Sequence, residues 1–327
     1  MNIGVIGSGA WGTALAIHFD RASHNVVLYS RDEAEAAAIR SNGKNILLPD
    51  YSLPESIEVV AVGNRVAEHD LLLIVTPTAG LRPVLENWIV PFANKTPVLA
   101  ACKGFEQNTG LLPHQVLQEM LPENDCVGLL SGPSFAQEVA QGLPCAVCLA
   151  SNNIDWAENL SIKLNNNTLR LYFNSDPIGV AVGAAVKNVM AIATGVADGI
   201  NYGMNARAAL LTRGLAEMTR LSVALGGQEK TMMGLAGMGD LILTCTGSLS
   251  RNRQVGLKLA EGKSLPQILQ ELGHVAEGVN TVGEVVRMAE KYQVDMPITR
   301  VLFDLLQGKV DANVAVERLM LREPTFE

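Results

Sequence analysis

A single lysine, Lys187, interrupts the almost wholly small and apolar stretch "GVAVGAAVKNVMAIATGVA". An amine in such surroundings either gives up its charge or finds a partner. This is how a lysine is poised as an acid or base near neutral pH. The competing reading is a lysine at the rim of an interface, its stem packed and its head in water. Four other short stretches carry groups able to do chemistry: "ACKGFE" with Lys103, "SGPSFAQEV" with Gly132, Ser134 and Ala136, "GMGDLILTC" with Asp240, and "SRNR" from Ser250 to Arg253. In the last, Ser250 reads as a helix cap that leaves Arg251 and Asn252 among the first-turn donors, an anion site. The plain alternative there is a solvated helix start with basic surface residues. Asp240, read alone, fits a simple N-cap equally well.

The N-terminus spells a second kind of chemistry. In "MNIGVIGSGAWGTALA", Gly7, Gly9 and Gly12 follow an apolar run and open a helical pattern that begins at Ala10 and Trp11. The first glycine allows a tight turn, the second leaves room for a pyrophosphate, and the third lets helix pack on strand. The helix start offers free N–H groups and the positive end of its dipole to phosphate. This spacing carries weight only in a strand–turn–helix context. After the next strand, "VVLYSRDE" places Arg31 where an NAD site usually has an acid. An arginine there can neutralise the 2′-phosphate of NADP, with Asp32 expected to point elsewhere.

The elements that must position these groups alternate in the first half. Strands are expected at Asn2–Ile6, Asn25–Ser30, Ile57–Val62, Asp70–Val75, Pro97–Cys102 and Cys126–Leu130, then Ala146–Ala150 and Leu169–Ser175. Runs such as "LLLIV" are the pattern of strands buried on both faces. Helical stretches such as Trp11–Ala22 and Glu33–Ile39 lie between, so the expected fold is α/β: a Rossmann-like, doubly wound parallel sheet. Past Pro177 helical periodicity takes over. We therefore expect a dinucleotide-binding domain over 1–177 and an all-helical, substrate-binding and catalytic domain over 178–327. The stretch from Gly179 to Ala197 fails as a membrane span, being Gly/Ala-rich with a central lysine, and reads as a buried helix.

Bulk properties narrow the class. With 327 residues, two domains are the prior. A net charge of -8 argues against a general nucleic-acid binder. Five scattered cysteines suit a reducing cytosol better than a disulfide framework. Cys145 and Cys148 form a C-x-x-C, but on a strand they point to opposite faces, and no second pair or nearby histidines complete a metal site. Buried structural cysteine is the expected reading, with no metal.

The stretches "GSGAWGTALA", "ACKGFE", "LSGPSFAQEV", "GAAVKNVMAIATGVADGINYGMNARAALLTRGLAEM", "GLAGMGDLILTCTGSLSRNR", "VAEGVNT" and "VDMPIT" run from end to end of the chain. In them the chain resembles the bacterial soluble NAD(P)-dependent glycerol-3-phosphate dehydrogenase family. The resemblance implies reversible reduction of dihydroxyacetone phosphate to sn-glycerol 3-phosphate, for phospholipid synthesis, by a cytoplasmic homodimer. It makes Lys187 the proton donor and acceptor, with Asp240 orienting its ammonium. It assigns Lys103, Gly132, Ser134, Asp240, Ser250, Arg251 and Asn252 to the substrate. The cofactor, NAD or NADP, would meet Gly7, Gly9, Ala10, Trp11, Gly12, Arg31, Lys103, Ala136, Arg251, Val275 and Glu277. Family members commonly read G-A-G-S in the first turn; here it is Gly7-Ser8-Gly9-Ala10, so position 10 offers an N–H but no hydroxyl. Two rivals stand beside this reading. One is a β-hydroxyacid-type reductase, whose lysine is typically followed four residues on by asparagine; here Asn188 is adjacent and position 191 is Ala191. The other is a non-catalytic dinucleotide sensor, which needs no poised lysine.

Overall fold

The computed structural model describes residues 1–63, 66, 69–272 and 276–321. The chain divides into two compact units, Met1–Pro177 and Ile178–Glu327.

The first unit is built on eight strands: β1 (Asn2–Ile6), β2 (Asn25–Ser30), β3 (Glu58–Ala61), β4 (Leu71–Ile74), β5 (Val98–Ala100), β6 (Val127–Ser131), β7 (Cys145–Ala150) and β8 (Leu169–Asn174). They lie in the order β3-β2-β1-β4-β5-β6-β7-β8. Strands β1 to β6 are mutually parallel, in the 3-2-1-4-5-6 order of dinucleotide-binding sheets. The central strands are apolar throughout because helices cover both faces; all four residues of β4 are buried. Helix α1 (Ala10–Arg21) buries Leu15, Ala16 and Phe19 against the sheet. Helix α2 (Glu33–Asn42) starts at Asp32, whose carboxylate accepts from the Glu35 N–H, and stops at Gly43 with φ of 59°.

One feature departs from a wholly parallel sheet. β7 runs antiparallel to β6, and β8 then runs parallel to β7. The helix between β6 and β7, Ala136–Gln141, has six residues. It rises only about 9 Å, against roughly 17 Å for a five-residue strand. Arg21 of α1 donates to the carbonyl of Ala140 at 2.6 Å and fixes this helix there. The chain thus comes back beside β6 in the reverse sense instead of crossing over. Strand ends also fall short of the apolar runs: β3 spans four residues, although the Val62 N–H still reaches the Ser30 carbonyl at 2.9 Å.

The second unit is helical, with no strand among its described residues. Its axis is Pro177–Gly199, long and apolar enough to cross a membrane by length and composition alone, with 94% of its apolar window buried inside the fold. It is a core helix. Its small residues permit close crossings. A Cβ at Gly195 would overlap the Arg253 carbonyl, and one at Gly256 would overlap that of Ile192, so the Arg251–Ala260 helix packs backbone to backbone against it.

Candidate active site

In the first unit the parallel strands bring their C-terminal ends to one edge, where an open α/β sheet holds its ligands. The glycine turn leaves the end of β1 there. Gly7 has φ of 117°, and a Cβ on it would lie 2.9 Å from the Val75 carbonyl at the end of β4. A Cβ on Gly12 would overlap the Gly7 carbonyl. Gly9 is different: nothing lies within 4 Å of its missing side chain. It is the N-cap of α1, and no side chain caps that helix. An open approach to uncapped first-turn donors, including those of Ala10 and Trp11, is the cradle a pyrophosphate requires, so these residues fit a dinucleotide. The turn has an anchor the sequence does not advertise. Buried Asn45 donates to the Ser8 carbonyl at 2.7 Å and to the Thr13 hydroxyl at 2.8 Å.

Arg31 follows β2 directly and is highly exposed. Asp32 does not point elsewhere as expected. Its Oδ2 lies 3.3 Å from Arg31 Nε, and Glu35 Oε2 lies 3.5 Å from the same atom. The reason is local: Asp32 caps α2, and the cap geometry holds its second oxygen beside Arg31. Lys103 lies three residues past the end of β5, half-buried. Past β6, Gly132 turns at φ of 144° and Ser134 donates to its carbonyl at 3.0 Å. Ala136 opens the next helix.

In the second unit Lys187 and Asp240 meet. Nζ lies 2.5 Å from Oδ1, and both side chains are almost fully buried. Of the two outcomes open to a lysine in an apolar helix, the chain takes the partner. Asp240 is therefore not a plain N-cap: Gly239 holds that position, and the Asp240 carboxylate turns to Lys187. Thr244, one helical turn on, accepts from Nζ at 3.0 Å and donates to Asp240 at 3.3 Å. Thr244 was not singled out in the sequence; the signal for it is its i+4 spacing from Asp240. A single π-helical turn, Leu235–Gly239, precedes Asp240, a feature frequent at functional sites.

The "SRNR" stretch splits by role. Ser250 caps the Arg251–Ala260 helix, its hydroxyl accepting from the Arg253 N–H at 3.3 Å. Arg251 is exposed at that helix start. Arg253 instead joins Arg207 on the Asp198 carboxylate, at 2.7 Å each. Asn252 is buried; it donates to Asn188 Oδ1 at 3.0 Å and accepts from the Gly278 N–H at 3.0 Å. Its side chain thus ties three helices together, including the one that Glu277 begins. Val275 lies outside the described residues. Cys145 and Cys148 sit on β7, the first half-buried, not buried as expected, and the second buried. Burial pushes their thiols up to about 11 and about 12. Among the described residues no group of three or more His, Cys, Asp or Glu could hold a metal.

The matches to known proteins cover the whole length. The family model for the NAD-dependent glycerol-3-phosphate dehydrogenase N-terminus matches residues 2–157, and that for the C-terminus matches residues 176–317. The chain is 57% identical over 329 residues to a glycerol-3-phosphate dehydrogenase (NAD(P)+) of Neisseria meningitidis, with 100% of both covered. It is 54% identical to one of Dechloromonas aromatica, covering 100% of this chain and 99% of that protein. A crystal structure of glycerol-3-phosphate dehydrogenase from Coxiella burnetii is 38% identical, with a TM-score of 0.93 over 98% of this chain and 99% of that one. With an NAD(P)-type sheet, a buried lysine–carboxylate pair and full-length identity of this order, the chain belongs to the NAD-dependent glycerol-3-phosphate dehydrogenase family of oxidoreductases.

Proposed function

We propose that the chain reversibly reduces dihydroxyacetone phosphate to sn-glycerol 3-phosphate with NADH or NADPH, and that Lys187 supplies the proton. The observation that carries this reading is the buried Lys187–Asp240 pair, 2.5 Å apart, in a chain of this family. The reduced nicotinamide, when bound, supplies a hydride to the ketone carbon. As charge grows on the carbonyl oxygen, the Lys187 ammonium stabilises it and then gives it a proton, leaving a neutral amine that water reprotonates. Asp240 keeps the ammonium in place, and the Thr244 hydroxyl fixes its direction.

Arg251 and the first-turn donors of its helix are assigned to the substrate phosphate. Asn252 shares this assignment through the one amide hydrogen that Asn188 does not use. Lys103 is assigned to both substrate and cofactor, and Gly132 and Ser134 to the substrate. Gly7, Gly9, Ala10, Trp11, Gly12, Arg31, Ala136, Val275 and Glu277 are assigned to the dinucleotide. The product feeds phospholipid synthesis in this reading, and the working form is a cytoplasmic homodimer. All five cysteines are free thiols, which suits a reducing compartment. The homodimer rests on the family resemblance alone.

The direct test is absorbance at the nicotinamide band with dihydroxyacetone phosphate and each reduced cofactor. Oxidation of neither NADH nor NADPH would overturn the proposal.

A further inference from the structure

A side chain carried on a loop acts with precision only if something rigid fixes that loop. Lys103 lies between β5 and the Pro113–Met120 helix, and the segment around it is held at both ends. At the near end, the Ala101 N–H donates to the Ile74 carbonyl at 2.8 Å. At the far end, Arg82 grips Glu106 with a two-pronged contact: Nε to Oε1 at 2.8 Å and Nη2 to Oε2 at 2.9 Å. Thr109 donates to the same carboxylate at 2.7 Å, and the Glu106 N–H donates to the Leu111 carbonyl at 2.8 Å. Between these points Phe105 is buried and Gly104 turns at φ of 147°. Arg82 sits on the Leu81–Val84 helix, just past β4, so it ties the loop to a second part of the same unit. It also reaches Glu119 at 3.0 Å, on the helix beyond the loop.

We propose that Arg82 is a positioning residue for this reaction, acting through Glu106 to hold Lys103 in its working place. Forked arginine–carboxylate pairs fix geometry as well as energy, which a single point charge does not. The inference rests on the reading of Lys103 as a group that meets substrate and cofactor.

A double-mutant cycle tests both layers. Steady-state oxidation of NADH with dihydroxyacetone phosphate is measured for Arg82→Met in the native background and in Lys103→Met. We expect kcat/KM to fall about 10- to 100-fold in the native background, as small misplacements of a working group do. In the Lys103→Met background the fall should be under about 3-fold, because the group being positioned is gone. Glu106→Gln should follow the same pattern more weakly, and it carries the cycle should Arg82→Met not fold. Glu119→Gln, which touches Arg82 but not the loop, should keep native kinetics. A merely structural role would lower thermal stability and reduce activity equally in both backgrounds; that result overturns the proposal. Native kinetics for Lys103→Met alone would overturn the reading of Lys103 and this inference with it, and that single variant tells the two failures apart.

Discussion

At the scale of single residues, the distinction that matters is between charges that are buried in pairs and charges that face water. Lys187 and Asp240 are the first kind. Lys187→Ala removes the proposed proton source and leaves the Asp240 carboxylate buried without this partner. Turnover should fall by about 10²-fold or more, the range for a positioned acid, while the variant also loses stability because a lone buried charge is costly. Lys187→Met paired with Asp240→Asn relieves that second effect, so it should regain thermal stability without regaining turnover. Near-native kcat in either variant would remove Lys187 from the chemistry. Arg31 is the second kind. Two carboxylates already share its guanidinium, so a 2′-phosphate would have to compete with Asp32 and Glu35. This sets the expected contribution at the low end for an arginine–phosphate contact, about 1 kcal/mol. Arg31→Ala should raise KM for NADPH by about 5-fold and leave NADH unchanged. Glu35→Gln should lower KM for NADPH by freeing the same group. Parallel changes for both cofactors in either variant would show that Arg31 is only a solvated residue at the strand end.

At the scale of elements, the strand–turn–helix of the N-terminus makes a sharper test, because its glycines serve different ends. Gly9 has open space around it and φ of -69°, which any residue adopts. Gly9→Ala should therefore fold with thermal stability unchanged, yet place a methyl group at the proposed approach of the pyrophosphate. KM for NADH and NADPH should both rise about 10-fold or more, equivalent to roughly 1.4 kcal/mol. Gly12→Ala, whose new methyl would overlap the Gly7 carbonyl, should instead lose stability. Unchanged KM in Gly9→Ala would place the phosphates elsewhere. This element was legible because its information is local: apolar run, glycine spacing and helix start lie within a dozen neighbouring residues. The buried strands were legible for the same reason, since "LLLI" has no other face to offer. The reversal of β7 was not, because strand direction depends on where the Ala136–Gln141 helix docks, and Arg21 decides that from far away in sequence. Asn45 was invisible likewise: an asparagine that pins the glycine turn looks like any loop asparagine. In the buried Lys187–Asp240 pair, the lysine stood out against its apolar neighbours, but Thr244 lies 57 residues from it along the chain and Asp240 only four residues before Thr244, so only folding joins them.

At the scale of the molecule, the two units carry buried titratable groups that respond to acid in opposite senses. His18 and His114, both in the first unit, are buried and lowered to about 4, chiefly by loss of hydration. His18 accepts from the Asn166 amide at 3.0 Å, which suits a neutral ring, and His114 Nδ1 has no hydrogen-bond partner to hold a second proton. Below the ordinary histidine range the unfolded chain takes up protons that the folded unit refuses. Stability of this unit should therefore decline as pH falls from about 6.5 to about 4, by on the order of 3 kcal/mol per histidine. In the second unit, Glu217 is raised above the usual carboxylate range by burial, although it accepts from the Ile298 and Thr299 N–H groups at 2.6 and 3.2 Å. A raised carboxyl contributes stability at low pH and loses it as pH rises through its folded value, so this group favours the second unit over the same acid range. The three tryptophans, Trp11, Trp88 and Trp156, all lie in the first unit, which makes their fluorescence a reporter for it alone. On acid titration the tryptophan signal should change before the far-ultraviolet helix signal. His18→Gln combined with His114→Gln should draw the two transitions together by shifting the first to lower pH. Coincident transitions in the native chain, or a first transition that the double variant leaves in place, would mean that these histidines do not set the acid limit of the fold.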